Sequence, residues 1–80
     1  MPSKSVAVGS SVGLHARPAA LIAEAAGKLD ASVTINGMDA SSALMLMTLG
    51  AKCGDTVEVA SDDEAAMDAI AAMVEQDLDA

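Results

Sequence analysis

Three pairs of β-branched residues set two positions apart, Val6 and Val8, Val33 and Ile35, and Val57 and Val59, constrain this chain more than any other feature. Alternate side chains of an extended backbone share a face, so each pair reads as a short strand with one side buried and one side wet. In "SKSVAV", Lys4, Val6 and Val8 alternate with Ser3, Ser5 and Ala7. In "SVTIN", Val33 and Ile35 alternate with Ser32 and Thr34, and "TVEVA" repeats the device. Asn36-Gly37, directly after the second strand, is the dipeptide a type I′ hairpin turn prefers, because both central positions need positive φ. It predicts a short returning strand over Met38 to Ser41.

The stretches between the strands change to helical period. From about Ala16 to Lys28, Ala19, Ile22, Ala26 and Leu29 fall on one face, while Arg17, Leu21, Glu24 and Lys28 fall on the other, which leaves Leu21 exposed among charges. The last helix opens on Ser61-Asp62-Asp63-Glu64, a capping box whose acids also suit the positive end of the helix dipole, and Met67, Ile70, Val74 and Leu78 form its buried stripe. In "SSALMLMTLG" we expect one to two turns of helix, capped by Ser41 or Ser42 and closed by Gly50. The order β-α-β-β-α-β-α predicts an α+β domain with a four-stranded, mostly antiparallel sheet and three helices on one face.

Eighty residues make a single domain, 1–80, with no long linker, repeat or low-complexity tract. The apolar half of the chain contains no Phe, Tyr or Trp, so base stacking is excluded as a binding device. Four basic against twelve acidic side chains give a net charge of −8, which opposes nucleic acid and anionic membranes. "MPSKSVAVGSS" has no apolar region of signal-peptide length, and no segment has the length of a membrane helix, so the expected location is the cytoplasm. Cys53 is the only cysteine, which excludes an intrachain disulfide and a Cys-rich metal frame. In so small a domain the short middle helix cannot bury Ala43, Leu44, Met45, Leu46, Met47 and Leu49 together. Exposed contiguous apolar surface of this kind marks a partner site.

The candidate chemistry lies in "GLHARPAAL", Gly13 to Leu21, which carries the chain's single histidine two residues from its single arginine. Pro18 fits only in a first helical turn, so the helix starts near Ala16, or at Pro18 if the bias of Arg17 away from the helical region decides. Either start leaves His15 and Arg17 at the N-terminal end. Free backbone N–H groups of Ala16 and Arg17, the positive dipole end and a guanidinium then converge where a phosphoryl group on the imidazole would lie. The simpler alternative is a polar cap at His15 and a solvated side chain at Arg17. Gly13, which permits close backbone approach, and Pro18, which fixes where the amides lie, favour a phosphoryl acceptor.

Gly13-Leu14-His15-Ala16-Arg17-Pro18-Ala19 resembles the active-site signature of the HPr family, the histidine-containing phosphocarriers of the bacterial phosphoenolpyruvate-dependent sugar phosphotransferase system. The likeness runs from the first strand to the last helix and includes Met-x-Leu-Gly at Met47 to Gly50. It implies an open-faced β-sandwich and a carrier that takes phosphate from phospho-enzyme I onto Nδ1 of His15, with Arg17 attending it, and passes it to a histidine of enzyme IIA. It also implies that partners dock on Ala20, Leu21 and Glu24 of the first helix and on Ala43, Leu44 and Met47 of the second. No cofactor is implied, and the expected state is a monomer.

Ser42 stands where many members of that family carry a serine phosphorylated by a regulatory kinase. Here Ser41 replaces the basic residue that commonly precedes it, and Ala-Leu-Met replaces the usual Ile-Met-Gly. A helix cap is the preferred reading of Ser42, and a regulatory paralogue governed by Ser42, without phosphate relay, is the alternative function. Glu24 stands where a basic or neutral residue would better suit acidic partners, which shifts the weight of docking to Leu21, Leu44 and Met47. Met45-Leu46-Met47 with Cys53 offers soft ligands for Cu(I), but methionine at helical spacing is packing in the ordinary case, and no metal is expected. Asp62, Asp63 and Glu64 are accounted for by a capped helix start.

Overall fold

The alternation in the sequence becomes four strands, and the helical periods become three helices. A computed structural model describes residues 2–11 and 13–76. The elements run β1 (Ser3–Ala7), α1 (Ala16–Gly27), β2 (Val33–Ile35), β3 (Met38–Asp39), α2 (Ala43–Thr48), β4 (Thr56–Ser61) and α3 (Glu64–Glu75). The strands form one sheet in the order β1-β4-β2-β3, and every neighbouring pair is antiparallel. Val6, Val33, Ile35, Val57 and Val59 point to the buried side, where Ile22 of α1, Leu46 of α2 and Ile70 of α3 meet them. The outward positions Ser3, Ser5, Thr56 and Glu58 are exposed. This is the open-faced sandwich: one face covered by helices, one face wet. Val8 lies just beyond β1, yet it is buried, and its backbone pairs with Asp55 and Gly54 at 2.8 Å each.

The Asn36-Gly37 turn forms as predicted, with φ of 51° and 81°. The returning strand is shorter than expected and stops at Asp39. Its carboxylate accepts the backbone N–H of Ser41 at 2.9 Å and the Ser41 hydroxyl at 2.7 Å, while the Asp39 carbonyl accepts the Ser42 N–H at 3.1 Å. These local bonds turn the chain into α2 before a longer strand can pair. Of the two candidate caps, Ser42 is the one used, its hydroxyl accepting the Met45 N–H at 3.3 Å.

At the start of α3 the capping box does not form. Ser61 is the last residue of β4, paired with Val33 and buried, and its hydroxyl donates to the Ser32 carbonyl at 2.7 Å. The strand holds it, so the helix begins two residues later, and the Asp63 carboxylate caps it by accepting the Ala65 N–H at 3.0 Å. Glu64 stands in the first turn, where its charge suits the dipole. Met67, Ile70 and Val74 form the buried stripe, and Leu78 lies outside the described residues.

Two expectations of exposure are corrected. Leu21 is half-buried, on a helix that packs against α2. Met47, together with Ala43, is half-buried and packs against the core. The exposed large apolar residues of the middle helix are Leu44, at 69% exposure, and its neighbour Met45, at 37%. Leu46 is fully buried. A helix of one and a half turns seated on a core buries its inward third and leaves two adjacent positions outside.

Candidate functional site

Leu14 anchors the segment that carries His15. Its side chain is 1% exposed, and its N–H donates to the Ala51 carbonyl at 2.9 Å. Gly13 makes that approach feasible. Its φ is +75°, its N–H donates to the Ser10 carbonyl at 2.9 Å, and a Cβ placed on it would lie 2.3 Å from the Ala51 oxygen and 2.9 Å from the Lys52 Cα. A side chain is therefore excluded both by backbone conformation and by room. The α2–β4 turn lies against the His15 segment, a contact that no local pattern announces.

His15 is exposed and occupies the N-cap of α1, with φ −128° and ψ 160°. Its carbonyl accepts the Ala19 N–H at 3.4 Å, so its backbone takes the capping role, but its imidazole makes no capping hydrogen bond. That removes the simpler reading of His15 as a side-chain cap. Pro18 is buried in the first turn and brings no N–H. The amides of Ala16 and Arg17 stand in the same turn, where helix geometry supplies no acceptor. Ala16 enters the helix with φ +37°, a left-handed value that costs a non-glycine residue about 1–3 kcal/mol and is held by its surroundings. Buried Leu14 on one side and buried Pro18 on the other are those surroundings.

Arg17 is exposed, and among the described residues its guanidinium has no ion pair or hydrogen bond. Lys28, by contrast, is spent on Glu24 at 3.2 Å, an exposed i,i+4 pair. The structure also brings the backbone of Lys52 to this end, packed against Gly13. Sequence reasoning missed it because the turn and the histidine meet only through the fold. Ala20 and Glu24 are exposed on α1, as expected, and Leu44 is exposed on the neighbouring α2. Ser42 is half-buried and engaged as a cap.

Cys53 is exposed. Among the described residues, no group of three or more His, Cys, Asp or Glu is arranged to hold a metal ion. No helix among them is long and apolar enough to cross a membrane.

An exposed imidazole at a helix N-cap, beside free amides and an unpaired guanidinium, is suited to carry a phosphoryl group, because each neighbour stabilises negative charge. The sequence pattern described as "PTS HPr component phosphorylation site" matches residues 2–76. Phosphocarrier protein HPr of Streptomyces coelicolor is 38% identical, with 99% of this chain and 94% of that protein covered. Among solved structures, the phosphocarrier protein HPr of Bacillus anthracis superposes with a TM-score of 0.84 at 32% identity, covering 91% of this chain and 95% of its own. HPr-C-His of Thermoanaerobacter tengcongensis gives a TM-score of 0.87 at 28% identity, covering 100% and 98%. With its sheet, its helices and its His15 segment all accounted for by that pattern, the chain belongs to the HPr family, the phosphocarriers of the phosphotransferase system.

Proposed function

We propose that His15 is the phosphoryl acceptor of this carrier, loaded by phospho-enzyme I and discharged to enzyme IIA in the cytoplasm, with the protein acting as a monomer. A nitrogen of the His15 imidazole, Nδ1 by the family's pattern, forms a bond to phosphorus as the donor's bond to the same phosphorus breaks. The reverse exchange with enzyme IIA returns the free imidazole. Arg17 and the amides of Ala16 and Arg17 stabilise the phosphoryl oxygens while the charge is shared between donor and acceptor. The observation that carries this reading is the exposed imidazole at the N-cap that forms no capping bond.

The test is intact-mass measurement after incubation with phosphoenolpyruvate and enzyme I. We expect one added phosphoryl group, lost on acid treatment and absent from a folded His15→Ala variant. Arg17→Ala slows uptake while its stability stays within about 0.5 kcal/mol, as for an exposed side chain with no partner. Arg17→Lys recovers part of the rate, because an ammonium lacks the planar fork. Phosphate uptake by folded His15→Ala overturns the assignment.

Docking is proposed on the surface that joins the start of α1 to α2: Ala20, Leu21 and Glu24 with Ala43, Leu44 and Met47; we include Met45, which is exposed beside Leu44. Leu44 is its apolar centre, exposed without an intramolecular reason. A charge placed there costs more than about 2 kcal/mol of binding if the interface concentrates its energy as small interfaces do. Calorimetry of Leu44→Glu with each partner measures it, and unchanged affinity for both removes α2 from the interface.

A further inference from the structure

The segment between β1 and His15 touches the end of α3 at a place where only glycine fits. Gly9 donates its N–H to the Val74 carbonyl at 2.9 Å, and a Cβ placed on it would lie 1.9 Å from the Glu75 carbonyl oxygen and 2.6 Å from its carbon. Both are backbone atoms, so neither can swing aside as a side chain would. Next to it, the buried Ser10 donates from its hydroxyl to the Gln76 carbonyl at 3.2 Å. The Ser10 carbonyl in turn accepts the Gly13 N–H, and Leu14 is tied to Ala51. A continuous series of backbone contacts therefore runs from the last turn of α3 through Gly9, Ser10 and Gly13 to the N-cap histidine. Gly9 needs no positive φ, so its requirement is one of space alone.

We infer that Gly9, through its contact with the end of α3, is a positioning residue for His15. This rests on the reading of His15 as the acceptor and adds an element to it: α3 carries no group at the site, yet its C-terminal carbonyls set where the imidazole stands. In-line transfer between two protein-held nitrogens depends on that placement, because a shift on the order of 1 Å in a reacting group can cost about a hundredfold in rate. The α2–β4 turn fixes the segment from one side through Gly13, and α3 fixes it from the other through Gly9. Such a two-sided hold keeps the left-handed Ala16 in place without any side-chain bond to the imidazole.

The experiment is Gly9→Ala in the full chain, with Gly37→Ala as the control. Gly37 sits in the β2–β3 turn at the other edge of the sheet from β1, and its Cβ position has nothing within 4 Å, so its loss strains the backbone without pushing on α3. Gly9→Ala is expected to slow phosphoryl uptake at saturating phospho-enzyme I on the order of tenfold with KM unchanged. In the unphosphorylated protein it should also shift the amide resonances from Gly13 to Arg17 and the imidazole resonances of His15. Gly37→Ala should do neither. If Gly9→Ala fails to fold, Ser10→Ala deletes the bond to Gln76 without adding volume, and the same resonances should move. Resonance changes confined to Val74, Glu75 and Gln76, with the original rate of uptake, overturn the inference. An unaltered protein that takes up no phosphoryl group overturns the reading of His15, while the imidazole resonances still decide whether Gly9 positions it.

Discussion

Gly13 and Gly37 have nearly the same φ, +75° and +81°, and opposite surroundings. At Gly13 the backbone of Ala51 and Lys52 closes to within 3 Å of where a side chain would start, whereas at Gly37 there is open space. One glycine is a turn requirement, readable from the dipeptide Asn36-Gly37. The other is a packing requirement that joins two distant parts of the chain and immobilises the residue before the histidine. The difference teaches how a small aromatic-free chain joins distant segments: it brings backbones together where larger domains would bring side chains.

Substituting both glycines by alanine separates the two requirements. Gly13→Ala incurs the left-handed penalty of about 1–2 kcal/mol and, in addition, a collision with backbone worth about 1–3 kcal/mol, so it should cost roughly 2–5 kcal/mol and impair phosphoryl uptake. Gly37→Ala incurs only the first part, about 1–2 kcal/mol, with uptake unchanged in the folded protein. Urea unfolding of both, with uptake assayed well below each midpoint, checks the pair. Equal costs would mean that the Ala51 turn yields readily and that Gly13 is conformational only.

What the sequence made legible follows the same division. Strand pairs, the type I′ turn and the helix faces depend on neighbours along the chain, and Val6, Val33, Ile35, Val57, Val59, Ile22 and Ile70 are buried as their periods require. The errors came where a residue had two local uses and tertiary pairing chose between them. Ser61 reads as a cap, but β4 claims it; Met38 to Ser41 reads as a strand, but the Asp39 carboxylate ends it. At the site, His15, Arg17 and Pro18 were legible because one turn of helix holds them. The contacts of Gly13 with Ala51 and Lys52, and of Gly9 with the end of α3, were not, since each joins segments far apart in sequence. Leu21 and Met47 were placed outside because the stripe of one helix does not reveal which neighbour shades its flank.

The smallest effect is expected just past the open hairpin, at the wet β3–α2 turn, in the pH dependence of Asp39. The Ser41 hydroxyl, first, and the Ser41 backbone N–H, second, donate to its carboxylate and hold its carboxyl below the usual aspartate value. A carboxyl depressed in the folded state contributes stability that is present above its unfolded value and is lost as the pH falls through its folded value. Ser41→Ala removes the larger of the two bonds, so Asp39 should titrate at higher pH, read from its carboxyl carbon resonance. The stability difference between the two proteins should be seen at neutral pH and shrink as acid protonates Asp39 in both. Because the site is wet, the difference should be far smaller than that of Gly13→Ala. An unchanged Asp39 titration in Ser41→Ala would mean that water replaces the hydroxyl without loss, and that the wet β3–α2 turn, unlike the contact at Gly13, has no bond whose removal can be felt.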